Sequence, residues 1–205
     1  MLENIHWYGH DAFRIEDAGR QIYIDPWQLP AGTPKADLVL VTHEHHDHYS
    51  PPDIDAIRKS STAVVAPADL AAKIGPQATA VKPGQTLDAG GVKVTGVAAY
   101  NVGKKFHPKA NNWVGYVVTL SDGTTVYHTG DSDAVPEMKT LKVDVALLPV
   151  SGTYVMTAAE AVEVANAFLP KTVIPMHYGT IVGSAADAEA FRKGFKGQTV
   201  VKKKE

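Results

Sequence analysis

Six consecutive residues, His43-Glu44-His45-His46-Asp47-His48, carry the densest chemistry in the chain. The pattern is H-x-H-x-D-H. Imidazole nitrogens and carboxylate oxygens are the ligands that borderline divalent metals such as zinc favour. In extended chain, residues two apart point the same way. His43, His45 and Asp47 are therefore expected to converge on one side, with His48 joining them once the chain turns. By the same alternation His46 points away and is not counted as a ligand. A His-rich surface turn is the bland alternative. Three imidazoles and a carboxylate within six positions would serve no packing purpose, so a metal site is the expected reading.

Something rigid must position these groups. The apolar run Leu38-Val39-Leu40-Val41 reads as a buried strand that delivers the cluster, and Ser50-Pro51-Pro52-Asp53 reads as a helix start. Serine caps helices well, proline is tolerated in the first turn, and an aspartate there complements the helix dipole. Ile54 and Ile57 should face the core. Upstream, 5–8, 12–15 and 21–24 read as strands, the last two joined by a hairpin at Asp17-Ala18-Gly19-Arg20. Downstream, strands are expected at 62–66, in short segments between 78 and 100, and at 116–120, 124–127, 143–148 and 172–175, with a terminal Val200-Val201 strand. Helices are expected from Pro67 to about Ile74, from Thr157 to about Leu169 and near 185–194. Thr157 and Glu160 have the capping-box spacing, and Ala161, Val162, Ala165, Phe168 and Leu169 would share one face. Strand and helix alternation implies a layered α/β domain, and nothing marks a boundary within 1–205.

Three strands share a habit. Each is apolar and then stops at a potential ligand: Val41 before Thr42-His43, Tyr127 before His128-Thr129-Gly130-Asp131, and Pro175 before Met176-His177. Functional groups in α/β sheets gather beyond the carboxyl ends of strands. Asp131 and His177 are thus candidates for the same site as the His cluster. Read singly, Asp131 could cap a turn and His177 could be a core histidine.

Together these residues resemble the metallo-β-lactamase superfamily of metal-dependent hydrolases. Gly9-His10, Asp25-Pro26, Thr42 to His48, Tyr127 to Asp131 and Ile174 to Tyr178 carry the resemblance, which spans nearly the whole chain. They look most like its compact branch of uncharacterised hydrolases and ascorbate-phosphate lactonase relatives. The resemblance implies a four-layer α/β/β/α sandwich with two mixed sheets. It implies one or two divalent metals, zinc first and manganese, iron or nickel as alternatives. His43 and His45 would bind the first metal, Asp47, His48 and His177 the second, and Asp131 would bridge them. The chain departs from the pattern at the first metal's third ligand. Where a histidine usually follows a strand like 92–97, it has Ala98-Ala99-Tyr100-Asn101. Either His107 folds back as a substitute, or the first metal is weakly held.

The chemistry so implied is hydrolysis of an ester-like bond, a phosphodiester or a lactone, by metal-activated water. Asp47 would accept a proton, Asp131 would serve the reaction as well as the metals, and His128 would contact substrate or support a ligand. Asp25 could take a proton from a ligand imidazole. Lys104, Lys105 and Lys109 could receive an anionic group or simply be solvated. Trp113 and Tyr154 could line a pocket or pack in the core. A metal-binding protein with little turnover is the alternative class. Oxygen or nitric oxide reduction at a di-iron site is disfavoured, because that relative places Glu where this chain has His45. Composition narrows the rest. The 205 residues are 44% hydrophobic with net charge −2, so no bulk attraction to nucleic acid or membrane is expected. The absence of cysteine excludes disulfides, cysteine-zinc sites and a cysteine nucleophile. No secretory leader pattern and no membrane-length apolar run are seen, so a cytoplasmic protein acting on a small molecule is expected.

Overall fold

The computed structural model describes residues 2–205. A six-stranded sheet runs in spatial order β1 (Ile5–Gly9), β2 (Ala12–Asp17), β3 (Arg20–Ile24), β4 (Leu38–Leu40), β5 (Ala63–Pro67) and β6 (Ala78–Val81). A seven-stranded sheet holds β7 (Thr86–Ala89), β8 (Val92–Ala98), β9 (Val114–Thr119), β10 (Thr125–His128), β11 (Val145–Pro149), β12 (Thr172–Met176) and β13 (Gln198–Thr199), neighbours in chain order. Both sheets are mixed. Pairing is antiparallel along β1–β2–β3 and β7–β8–β9–β10, where all the joins are tight turns except the long loop between β8 and β9. Elsewhere it is parallel, as in β3 to β6 and β10 to β13. Parallel neighbours need a crossover. Helices α1 (Pro51–Ile57), α2 (Ala68–Ile74), α3 (Ala158–Phe168) and α4 (Ala185–Gly194) supply four of them.

The continuous apolar strands have a simple cause: both of their faces are buried. Leu38 and Leu40 of β4 point into the core between the sheets, while Val39 and Val41 point into a second core with Ile54 and Ile57 of α1 and Leu70 of α2. Ile22, Ile24 and Val65 face the first core, and Tyr23 and Val64 the second. Ala161, Val164 and Ala165 of α3 and Ala188 and Phe191 of α4 cover the other sheet. The result is the expected four-layer α/β/β/α order.

Local signals behave as read, with exceptions. The Ser50 hydroxyl caps α1, and Thr157 and Glu160 form the reciprocal capping box. Val164 rather than Leu169 completes the buried face of α3. Leu169 is the left-handed residue that ends the helix and is 59% exposed. The terminal strand is Gln198–Thr199 instead of Val200-Val201, since β12 offers its pairing edge there. Two contacts tie the sheets together beneath the His cluster. The buried Tyr116 hydroxyl of β9 donates to the Val41 carbonyl at 2.8 Å, and the Val114 N–H donates to the Thr42 carbonyl at 3.3 Å.

Candidate metal centre

The cluster does not converge by simple alternation. The chain bends at Glu44 and turns at 46–48, where the N–H groups of His48 and Tyr49 both donate to the His45 carbonyl. That turn brings His43, His45 and His48 together and leaves the His46 side chain 84% exposed. Asp131 follows β10 and His177 follows β12 with φ of 59°. His107 lies in the loop between β8 and β9, and it does fold back. Its Nε2 is 3.2 Å from Asp131 Oδ2, and its ring stands 5.0 Å from that of His43.

Asp131 occupies the middle. Its Oδ2 faces His107, and its Oδ1 lies 3.4 Å from His48 Nε2 and 3.3 Å from His177 Nε2. On the other side of His43, its Nε2 is 3.1 Å from His45 Nδ1. Two ligand-type triads result within close reach of one another: His43, His45 and His107, and His43, His48 and Asp131. A third triad joins Asp131 and His177 with Asp11.

Four of the imidazoles, those of His43, His48, His107 and His177, are aimed by their outer nitrogen. His48 Nδ1 donates to Asp25 Oδ2 at 2.7 Å. His107 Nδ1 donates to Asn101 Oδ1 at 3.1 Å, and His177 Nδ1 pairs with the Ser151 hydroxyl at 2.9 Å. The Thr42 hydroxyl gives its proton to Asp25 Oδ2 at 2.6 Å, so it accepts from His43 Nδ1 at 2.9 Å. With the proton held at Nδ1, Nε2 presents a lone pair inward. The inward Nε2 atoms of His48, His107 and His177, with Asp131 Oδ1, are buried and have no hydrogen-bond partner. Unsatisfied buried polar atoms are costly, and a cluster of converging N and O donors is what a divalent cation satisfies. The residues present fit such an ion.

Electrostatics agree with that geometry. Burial, reinforced by His48, pushes the His43 imidazole well below its ordinary value. Burial also lowers His45, with His107 and His48 adding to it. Burial acts the same way on His48 and His177, but carboxylates overcome it. Asp131 and Asp25 raise His48, and Asp131 and Asp11 raise His177. Burial would raise Asp131, yet His177 and His48 hold it well below the carboxylate range.

The family description "Beta-lactamase superfamily domain" matches residues 4–177. The chain belongs to the metallo-β-lactamase superfamily. A UPF0173 metal-dependent hydrolase from Pyrococcus abyssi is 36% identical over 98% of this chain and 97% of its own length. A crystal structure of a Parabacteroides distasonis protein is similar with TM-score 0.86 and 34% identity, covering 97% of this chain and 91% of that one. A metallo hydrolase from Ignicoccus hospitalis matches at TM-score 0.79 and 26% identity, over 97% of this chain and 94% of its own. The metallo-β-lactamase fold expected from the sequence is thus shown.

Other residues stand differently from expectation. His128 is fully buried, and both ring nitrogens are used by backbone: Nε2 donates to the Asp11 carbonyl at 2.9 Å and Nδ1 accepts from Gly130 N–H at 3.0 Å. It has no atom left for a substrate, and its work is to pin the turn that carries Asp131. Asp47 is 4.0 Å from His48 Nε2, and its Oδ2 accepts from His10 Nε2 at 3.0 Å. Burial would raise its carboxyl, but the His10 bond and His48 hold it well below the carboxylate range. Trp113 is buried with its ring 4.9 Å from that of His43, and its N–H donates to Asp69 at 2.8 Å. Lys104 Nζ is committed to Asp133 at 2.6 Å and the Val155 carbonyl at 2.7 Å. Lys109 pairs with Glu137 at 3.0 Å. Neither lysine lines the cavity over the site.

Sequence reasoning missed three residues, one of them the Ser151 that holds His177. Asn101 accepts both the His107 backbone N–H at 3.0 Å and its ring N–H, fixing the displaced histidine. Asp11 is fully buried beside His48, Asp131 and His177, with neither oxygen hydrogen-bonded, and burial pushes its carboxyl well up. The only sequence sign of Asp11 is its place after Gly9-His10 in a tight inter-strand turn.

Proposed function

We propose that the chain is a metal-dependent hydrolase acting on an ester-like bond, a phosphodiester or a lactone. The supporting observation is the ring of unpartnered inward Nε2 atoms around Asp131. His43, His45 and His107 would hold one divalent ion, and His48 and His177 a second, with Asp131 between them and Asp47 beside the second position. Zinc suits these neutral imidazoles and carboxylates, as do manganese, iron and nickel. When bound, such ions supply an activated water and polarise the oxygen of the scissile group.

The chain's own residues then divide the remaining work. Asp25, Thr42, Asn101 and Ser151 keep the imidazoles oriented with their inner nitrogens unprotonated. Asp47 borders the open cavity as an ionised carboxylate and can accept a proton from a water or hydroxyl there. His10 holds Asp47 in place through Nε2. The alternative of a binding protein with little turnover drew on a missing third ligand, and His107 beside His43 and His45 weakens that ground.

Metal analysis of the purified protein, with turnover of bis-p-nitrophenyl phosphate and simple lactones, tests the reading. Metal-dependent turnover is expected, lost together with metal in His43→Ala and Asp131→Ala. Full metal content in either variant would refute the ligand assignment. Metal-loaded protein inert toward both substrate classes would favour the binding-protein reading.

A further inference from the structure

Large apolar side chains are left in water at few places in this molecule. Among the described residues they are Val102, Phe106, Tyr154, Leu169, Ile181 and Val201. Phe106, Tyr154 and Ile181 line one cavity, of about 290 Å³, together with His45, Asp47 and Asp131. They are 50%, 38% and 42% exposed. Scattered surface hydrophobics need no explanation, but a contiguous group beside a reactive centre does.

The wall is preformed. The Phe106 and Tyr154 rings meet edge to face at 4.6 Å and 74°. Tyr154 is held at φ of 68°, an uncommon conformation for a bulky residue, and its carbonyl accepts from Asn101 Nδ2 at 2.8 Å. Each wall residue also shares a loop with a group of the centre. Phe106 precedes His107, Tyr154 follows Ser151, and Ile181 follows His177. The contacts that aim the imidazoles therefore also set the wall.

Charge completes the argument. No lysine or arginine lines the cavity, whose imidazoles and carboxylates are those of His45, His46, His107, Asp47 and Asp131. Lys104 and Lys109, two of the three nearby candidates for anion binding, are spent on Asp133 and the Val155 carbonyl and on Glu137. A tail lying over Phe106, Tyr154 and Ile181 would meet apolar side chains, and no lysine or arginine lines that wall to receive a carboxylate or phosphate. We propose that the site takes a substrate whose non-reacting part is neutral and apolar or aromatic, seated against Phe106, Tyr154 and Ile181. The cavity has room for roughly ten water-sized groups, enough for a short alkyl chain or one aromatic ring. This inference rests on the hydrolase reading and adds the substrate class to it.

The test uses matched probes on the metal-loaded protein. One pair is a γ-lactone with a pentyl tail and the same lactone with a terminal carboxylate on the tail. The other is the corresponding pair of cyclopentanones, which cannot be hydrolysed, measured by titration calorimetry. The alkyl probe of each pair should be favoured by roughly tenfold or more, the scale on which apolar pockets discriminate. Phe106→Ala should erase most of that preference, and Ile181→Lys should shift it toward the carboxylated probe, both with unchanged metal content. Equal or better binding of the carboxylated ketone would overturn the proposal. Alkyl-ketone preference without turnover of the lactones or of bis-p-nitrophenyl phosphate would uphold the pocket and sink the hydrolase reading. Turnover of both lactones at equal efficiency would uphold hydrolysis and sink the pocket.

Discussion

Asp131 shows how single atoms decide this site. Its two oxygens face three imidazole nitrogens within 3.4 Å, all buried. What keeps those rings facing inward is a set of outer partners, chief among them Asp25, which binds both the Thr42 hydroxyl and His48 Nδ1. Asp25→Asn should lower metal affinity by about 10–100-fold, the usual cost of losing such a partner, as measured by competition with a chromophoric chelator. Unchanged affinity would mean that Asp25 serves packing alone. Proton linkage follows from the same contacts. In the metal-free protein, Asp131 and Asp25 raise His48, and Asp131 and Asp11 raise His177, against the opposing effect of burial. A raised imidazole stabilises the fold below its unfolded value of 6.5, and that contribution is lost as pH rises through the folded value. An incoming cation must displace those protons. Metal affinity should therefore rise with pH, and calorimetry in buffers of different ionisation enthalpy should show more protons released on binding below the raised folded values of His48 and His177 than above them. Equal release on both sides would contradict the arrangement.

At the scale of elements, strand ends do the positioning. β4 leads into the His turn, β10 into Asp131 and β12 into His177, each a short apolar strand buried on both faces. Such strands have little freedom to slip, because a one-residue shift would turn every side chain over. Gly115 shows how close the tolerances are. A Cβ there would lie 2.5 Å from the carbonyl oxygens of both His128 and Thr129, the backbone that carries Asp131. Gly115→Ala should cost about 1–3 kcal/mol, as overpacking does, visible as a lowered melting temperature together with weaker metal binding. A variant as stable as the parent would show that β9 and β10 can separate freely. The strands and caps were legible beforehand because their signals are local. Leu38 to Val41, Ser50 before two prolines, and Thr157 three residues before Glu160 each carry their own instruction. The end of α3 was less legible, because an apolar Leu169 fits the helical spacing but takes the left-handed conformation that closes the helix.

For the whole molecule, the centre joins two sheets. His43, His45 and His48 follow a strand of one sheet, while His107, Asp131 and His177 lie on loops of the other. A cation held by both sets would clamp the sandwich at its open edge. Chelation should lower the melting temperature. At free metal of about 100 times Kd the bound state gains about 2.7 kcal/mol, or roughly 5–10 °C for a chain of this size. No shift on chelation and reloading would count against a shared ion. The sequence by itself determined the superfamily motif, the strand that delivers it and the later strands that stop at Asp131 and His177, because ligand chemistry and apolar runs are written in adjacent residues. Only the tertiary structure decided the rest. It placed His107 at the centre through Asn101, spent Lys104 on Asp133, enclosed His128 in backbone contacts, and gathered Phe106, Tyr154 and Ile181 around the opening. Those outcomes depend on which loops meet when two sheets pack face to face, and no single stretch of chain contains that information.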